Sequence, residues 1–243
     1  MESGAYSHIG KVREINEDAY YISNGKLNLF MVADGMGGHN AGEVASHEAI
    51  DSIKKFMKKH TEVLLNSNEE TVCEILKQAT LEANKNIFLK SKREEACKGM
   101  GTTLTIILIL AKVYIAHIGD SRAHLIHKED IVQITQDHSL VAELLRNGSI
   151  TENEARMHPQ KNMITRALGT EESIEIDLYI LDLGVDDIIL LCTDGLSNLI
   201  EIEEIKDALI DCENMQYACE HLVELANERG GYDNITVVAV KNS

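Results

Sequence analysis

The amino-acid sequence predicts an α+β fold: two packed antiparallel β-sheets flanked by helix pairs, a four-layer α/β/β/α sandwich with a flap insertion. Three observations predict it. Short runs rich in Val, Ile and Leu recur along the chain, joined by connections too short for the dozen or more residues of a parallel crossover. Four longer stretches carry apolar residues at helical spacing and come in consecutive pairs. The segment from Asp137 to Gly169 is polar, helix-prone and poor in strand signal, as an insertion lying over a sheet would be. Strand runs with segregated helices bury their apolar faces most simply as two stacked sheets with helices outside.

The first strands are Asp18 to Ser23 and Leu27 to Ala33, joined by Asn24-Gly25, a hairpin signal. A helix is expected from Ala41 to about Lys59, with Ala45, Ala49, Ile53, Phe56 and Met57 on one face. A second, from Asn68 to about Lys90, aligns Val72, Ile75, Leu76, Ala79, Ala83 and Ile87. Strands resume at Thr103–Leu110, Val113–Ile118, Ala123–His127 and Ile131–Ile134, whose short connections predict antiparallel neighbours. Beyond the flap come strands Ile174–Leu181 and Asp187–Thr193, then helices near Glu201–Ile210 and Met215–Glu228. Gly230-Gly231 stops the last helix, and Asn234–Val240 is the final strand.

Composition narrows the function. The 243 residues suffice for one sizeable core, and 44% hydrophobic content is that of a globular protein. Forty acidic against 23 basic residues leave a net charge of −17, which repels phosphate backbones and anionic lipid and argues against nucleic-acid binding. The N-terminus lacks a basic start followed by an apolar stretch, so it does not read as a signal peptide. The longest apolar run, Leu104 to Ala111, is too short to span a bilayer, so no membrane insertion is expected. Cysteines 73, 97, 192, 212 and 219 are odd in number and form no Cys-x-x-Cys pair, as free thiols in a reducing cytoplasm would be.

Four aspartates sit where an apolar run meets a glycine or a tight turn: Asp34, Asp120, Asp194 and Asp233. One such residue is an ordinary turn aspartate. Four, each at the lip of a strand, suggest a cluster, and clustered carboxylates repel unless a cation sits among them. Hard divalent cations prefer such oxygen donors. Arg13-Glu14-Ile15-Asn16-Glu17-Asp18 sets a cation beside three carboxylates. It reads either as a surface ion pair or as a phosphate-gripping arginine next to acids that hold metal-bound waters. None of the ten histidines stands at zinc spacing, and consecutive Asp137-His138-Ser139 cannot adopt triad geometry.

The ordered series Arg13-x-x-Asn16-Glu17-Asp18, Val32-Ala33-Asp34-Gly35-Met36-Gly37-Gly38-His39, Gly99-Met100-Gly101-Thr102-Thr103, Gly119-Asp120-Ser121-Arg122, Ile164-Thr165-Arg166-Ala167-Leu168-Gly169, Cys192-Thr193-Asp194-Gly195-Leu196 and Asp233-Asn234-Ile235-Thr236 resembles the metal-dependent serine/threonine protein phosphatases (the PPM, or type 2C, family). Any one motif is weak, whereas the ordered set is very specific, and its wording is most similar to the bacterial cytoplasmic members. The resemblance covers essentially the whole chain and implies a single phosphatase domain over residues 1–243, with the flap at about 137–169.

It further implies two Mn2+ or Mg2+ ions bridged by Asp34 and completed by the Gly35 carbonyl, Asp194 and Asp233. Glu17 and Asp18 would act through metal-bound water, and Asp120, with Asp194, would hold a weaker third metal. Arg13 would grip the substrate phosphate. Relatives from higher organisms carry a histidine, a candidate general acid, directly after the metal Asp-Gly. Here that position is Met36, which cannot donate a proton, and His39 is the nearby alternative.

The function implied is hydrolysis of phosphoserine and phosphothreonine in proteins by a metal-activated water at a binuclear Mn/Mg centre. The expected partners are phosphoprotein substrates, among them a cognate bacterial serine/threonine kinase, and the expected state is a cytoplasmic monomer. Two other readings stay open at this point. A metal-dependent phosphodiesterase or nuclease is disfavoured by the acidic surface and the family motifs, and a catalytically silent binding module should have lost the metal aspartates or the arginine.

Overall fold

The computed structural model describes residues 1–23, 25–37 and 41–243. In chain order, β1 (Glu2–His8), β2 (Asp18–Ile22) and β3 (Asn28–Met36) precede the helix pair α1 (Ala41–Leu64) and α2 (Glu69–Arg93). β4 (Gly101–Thr102), β5 (Leu104–Ile109), β6 (Val113–Ile118), β7 (Arg122–His127) and β8 (Asp130–Gln133) follow. The flap contributes α3 (Leu140–Arg146) and α4 (Glu152–Arg156). Last come β9 (Asp177–Leu181), β10 (Ile188–Cys192), α5 (Asp194–Ser197), α6 (Ile202–Asp211), α7 (Met215–Glu228) and β11 (Ile235–Lys241).

The strands form two sheets, β1-β11-β10-β7-β8 and β2-β3-β5-β6-β9, with β4 paired to β3, and every pairing is antiparallel. Alternation along the strands explains the layers. Phe30, Val32, Ile107, Ile115, Leu191 and Val238 point between the sheets, while Met31, Ala33, Ile106 and Leu108 point outward onto α1 and α2. Leu190, Val237 and Ala239 do the same on the other side, beneath α6 and α7. Both faces being covered, these strands read as near-continuous apolar runs. Truncating a fully buried side chain such as Leu76 to alanine would cost about 2–5 kcal/mol. The expected α+β layering is therefore the observed one, and all five cysteines are free thiols.

Among the details that differ from the sequence reading, three have a clear physical cause. β1 was not expected, because Glu2-Ser3-Gly4-Ala5-Tyr6-Ser7-His8 lacks a run of branched apolar residues. Its Gly4 lies where the first turn of α7 comes down, and a Cβ there would strike the Met215 backbone. α1 runs to Leu64 rather than stopping near Lys59, since buried Leu64 extends the stripe of Ile53 and Met57. Finally, β6 and β7 are not neighbours despite their short connection. At Gly119-Asp120-Ser121 the chain turns from one sheet to the other, with Gly119 at φ +112° against Thr103. A corner between packed sheets needs such a left-handed step, which glycine adopts without a Cβ penalty.

Candidate active site

Strand register brings the predicted residues to one rim of the sandwich. Asp18 starts β2 directly opposite Asp34 of β3. β10 ends at Cys192, opposite both Arg122 of β7 and Val237 of β11, so Asp194, Asp120 and Asp233 leave their strands at this same end. The rim is stitched by hydroxyls. Thr103 Oγ1 accepts from the Asp34 N–H at 2.9 Å and lies 2.8 Å from Ser121 Oγ, while Thr102 Oγ1 donates to the Asp34 carbonyl at 2.8 Å. Across the sandwich, Thr193 and Thr236 each donate to Asp18 Oδ2, at 2.9 and 2.6 Å.

The loop before β2 is fixed by Asn234. Its Nδ2 donates to the carbonyls of Ile9 and Ile15, both at 2.9 Å, and its Oδ1 accepts from the Glu17 N–H at 2.8 Å. The Glu17 carboxylate faces the start of α1 and accepts from the Gly42 N–H. A side chain at residue 42 would occupy the space of that carboxylate. Asp194 opens α5, where Asn198 Nδ2 donates to it at 3.1 Å, and the Asn234 carbonyl crowds Gly195 so closely that no Cβ would fit. Asp233 accepts from the Asn234 N–H at 2.8 Å and from Arg13 Nη2 at 2.7 Å. The Arg13 side chain remains about half exposed.

Several carboxylates thus face a shared space with few cations. Burial pushes Asp34 well above the ordinary carboxylate range, and Asp18, Asp194, Asp120 and Asp233 push it further. Burial likewise raises Asp18 and Asp120 to about 7, each with Asp194 adding to the effect, and Asp194 to about 6, with Asp233 adding. Glu17 is raised by burial, against the opposing bond from Gly42. Arg122, which lines the same groove as Asp120 and Asp194, is held by Asp137, with Nη2 at 2.6 Å and Nε at 3.0 Å from Oδ2.

Two oxygens test whether this set suits a metal. Asp18 Oδ1 and Asp120 Oδ1 are buried and have no hydrogen-bond partner among the described residues. Buried carboxylate oxygens rarely lack a partner unless an ion or water completes them. The donor set is all oxygen, which suits Mn2+ and Mg2+ better than zinc. Among the described residues no three His, Cys, Asp or Glu side chains converge closely enough to cage an ion unaided. The residues fit the group.

His39 lies outside the described residues. Met36 pairs with Gly101 across β3 and β4. The flap packs beside the aspartates and leaves a groove of about 670 Å3, whose lining includes Asp120, Asp194, His124, Arg156 and Lys161. His124 is buried there with neither ring nitrogen hydrogen-bonded among the described residues. Sequence reasoning missed His124 and the Thr193–Asp18–Thr236 bridge. For the bridge, the only signal is a hydroxyl residue next to or near each motif aspartate.

Comparison with known proteins places the chain in a family. The family model for Protein phosphatase 2C matches residues 6–232. The chain belongs to the protein phosphatase 2C family. It is a metal-dependent serine/threonine phosphatase of the bacterial type. It is 40% identical over 237 residues to the serine/threonine phosphatase stp of Listeria welshimeri, covering 96% of this chain and 93% of that one. Its fold is similar to the serine/threonine phosphatase PstP/Ppp of Mycobacterium tuberculosis, with TM-score 0.86 and 38% identity over 98% of this chain and 96% of that one. A catalytic domain of PstP in complex with two manganese ions superposes with TM-score 0.86 at 35% identity, covering 99% of this chain and 98% of that one. No helix among the described residues is long and apolar enough to cross a membrane.

Proposed function

We propose that this phosphatase hydrolyses phosphoserine and phosphothreonine in proteins at a binuclear Mn2+ or Mg2+ centre. The observation that carries the reading is the gathering of Asp18, Asp34, Asp120, Asp194 and Asp233 at one rim, with two buried oxygens left without partners. Asp34, the Gly35 carbonyl, Asp194 and Asp233 would hold the pair. Asp18 and Glu17 would hold water around it, and Asp120 with Asp194 would hold a weaker third ion. Bound cations of this kind supply Lewis acidity, lowering the pKa of water and offsetting charge on a phosphoryl group. The two manganese ions carried by the similar PstP domain support the number.

The chain's own residues divide the remaining work. Asp18 is held rigid through Oδ2 by Thr193 and Thr236, which keeps Oδ1 aimed at the shared space. Arg13 engages Asp233 through Nη2, and its half-exposed guanidinium offers further N–H groups to phosphate oxygens. The leaving serine or threonine oxygen needs a proton, and we place its delivery at water ordered beside Asp120 rather than at His39. The cysteines are poor nucleophiles: burial raises all five thiols, Cys192 and Cys219 to about 12, so they stay protonated. We read residues 1–243 as one catalytic domain, working as a cytoplasmic monomer on phosphoproteins that include the kinase it opposes. Arg156 and Lys161 on the flap would meet acidic segments of those substrates.

The test is turnover by the purified chain with and without Mn2+. Metal-dependent release of phosphate from a phosphothreonine peptide and from p-nitrophenyl phosphate is expected, with no cleavage of a phosphodiester. Phosphodiester turnover at a comparable rate, or phosphatase activity untouched by chelator, would reject the reading.

A further inference from the structure

We propose that His138 is a positioning residue that ties the Asp120 turn to both roots of the flap. The bearing of this tie on catalysis rests on the reading of Asp120 given above; the mechanical coupling does not. His138 is fully buried, at 0% exposure, where the chain leaves the core to enter the flap. Its N–H donates to the Gly119 carbonyl at 2.8 Å, and its own carbonyl accepts from Thr165 N–H at 2.8 Å, where the flap returns. Ser139 and Ile164 form an antiparallel bridge beside it. The two flap roots and the turn before Asp120 therefore meet at one residue.

The imidazole adds what backbone alone would not. Nδ1 accepts from the Gly119 N–H at 3.0 Å, so the ring proton sits on Nε2, which donates to Asp177 Oδ2 at 3.1 Å. Asp177 Oδ1 in turn accepts from Arg166 Nη1 at 3.0 Å. A continuous path thus runs from the residue preceding Asp120, through the ring, to the arginine of the flap's returning segment. The ring cannot tilt freely, because His117 packs 4.9 Å away and is itself held by Thr105 Oγ1 and the Gln136 carbonyl. Thr103 fills the space a Cβ on Gly119 would take, and the φ of +112° there admits only glycine comfortably. The turn that aims Asp120 is clamped between Thr103 and His138. A displacement of the flap at Arg166 must reach Asp120 through this clamp, or break it.

A satisfied core histidine with no such role would stabilise the fold without transmitting anything, and two substitutions separate these cases. His138→Asn places a side-chain oxygen near the position of Nδ1 and keeps the Gly119 bond, but cannot reach Asp177. His138→Gln reaches Asp177 with its amide and leaves Gly119 without its acceptor. On the metal-free protein, Gly119 amide exchange should quicken about tenfold in His138→Gln, and by a smaller factor in His138→Asn, which keeps the Gly119 bond but loses the anchor to Asp177. Proteolysis in the flap should show the opposite ranking. Arg166→Ala in the otherwise wild-type chain should also quicken Gly119 exchange, and that increment should vanish when combined with His138→Asn, the signature of a shared path.

An Arg166→Ala chain with unchanged Gly119 exchange, or an increment that survives in the double variant, would overturn the proposal. Arg166 is partly exposed, so its truncation provides a reading even if a His138 variant fails to fold. Mn2+ calorimetry separates the two claims. If Asp120→Asn leaves Mn2+ stoichiometry and affinity unchanged, the metal role of Asp120 fails while the exchange coupling still decides the role of His138.

Discussion

Replacing Arg13 with alanine separates two readings that the ion pair to Asp233 brings into contact. Arg13 Nη2 lies 2.7 Å from Asp233 Oδ2, with the side chains 49% and 30% exposed. A pair so open to water contributes about 0.2–1 kcal/mol. For a chain of this size that is a melting shift of no more than about 2–4 °C. If the pair were all that Arg13 does, the substitution would be nearly silent. A charge-assisted bond from the same guanidinium to a substrate phosphate contributes about 1.5–3 kcal/mol, or about one to two decades in kcat/KM. The catalytic effect should therefore far exceed the effect on stability.

Three measurements check this. Thermal melts of the metal-free chain should show the small shift, and steady-state kinetics on a phosphothreonine peptide at saturating Mn2+ should show the large loss. Arg13→Lys should recover only part of it, because an ammonium keeps the charge and loses the planar fork. Mn2+ affinity should hold or tighten by up to about fivefold, since Arg13 is no ligand and competes for Asp233. Wild-type kcat/KM in Arg13→Ala would refute the phosphate role and leave the ion pair as the whole account.

Asp194→Asn should abolish Mn2+-dependent activity with the fold intact, and calorimetry showing unchanged Mn2+ binding would count against its assignment. Asp120→Ala should depress phosphoserine turnover more than His39→Gln does, by about a hundredfold or more, while sparing p-nitrophenyl phosphate, whose leaving group needs no proton. The reverse ranking at saturating Mn2+ would move the donor to His39. Arg156 reaches Glu201 at 3.1 Å through an exposed pair, so replacing Arg156 and Lys161 by alanine should leave melting nearly unchanged and slow protein substrates more than p-nitrophenyl phosphate. Equal slowing of both substrates would remove the flap from substrate selection. His124 is depressed from 6.5 to about 4, first by burial and then by Arg122, so it favours folding above pH 6.5 and that stability is lost as pH falls toward 4. His124→Leu should flatten the acid slope of urea stability by up to about 1.4 kcal/mol per pH unit between those values, and an unchanged slope would show that His124 does not titrate in that window.

Much of this was legible because apolar patterning is a local property. The strand ending at Asp34, the helix carrying Val72 to Ile87 and the flap between 137 and 169 each announce themselves within a dozen residues. What could not be read depends on pairing across the chain. The Asp18–Asp34 register and the bridge from Thr193 and Thr236 to Asp18 join residues up to 218 positions apart. The sheet change at Gly119 hides behind a connection that, by length alone, describes a hairpin equally well. β1 is held by pairing with β11 and by α7, not by its own composition. Arg13 was readable as a cation among acids, but its choice of Asp233 over Glu14, Glu17 and Asp18 follows from the loop that Asn234 ties down.

The rim itself breaks the rules that the rest of the fold obeys. Like charges directly opposite on paired strands destabilise a sheet, yet Asp18 and Asp34 occupy such positions. Asp18, raised to about 7 in the metal-free chain, favours folding fully below its ordinary 3.8, and that stability is lost as pH rises through 7. The chain could have relieved this with a lysine or with an asparagine pair. Instead it surrounds the carboxylates with hydroxyls that bind one oxygen of Asp18 and leave the other without a partner, and it draws Arg122 away to Asp137. Such an arrangement holds the carboxyl groups in place without supplying them a countercharge. Where local preference and global fold conflict this consistently, at one rim and across five strands, function is the economical explanation. A bound divalent cation would offset the repulsion, which makes metal affinity and metal-free instability two consequences of the same placement.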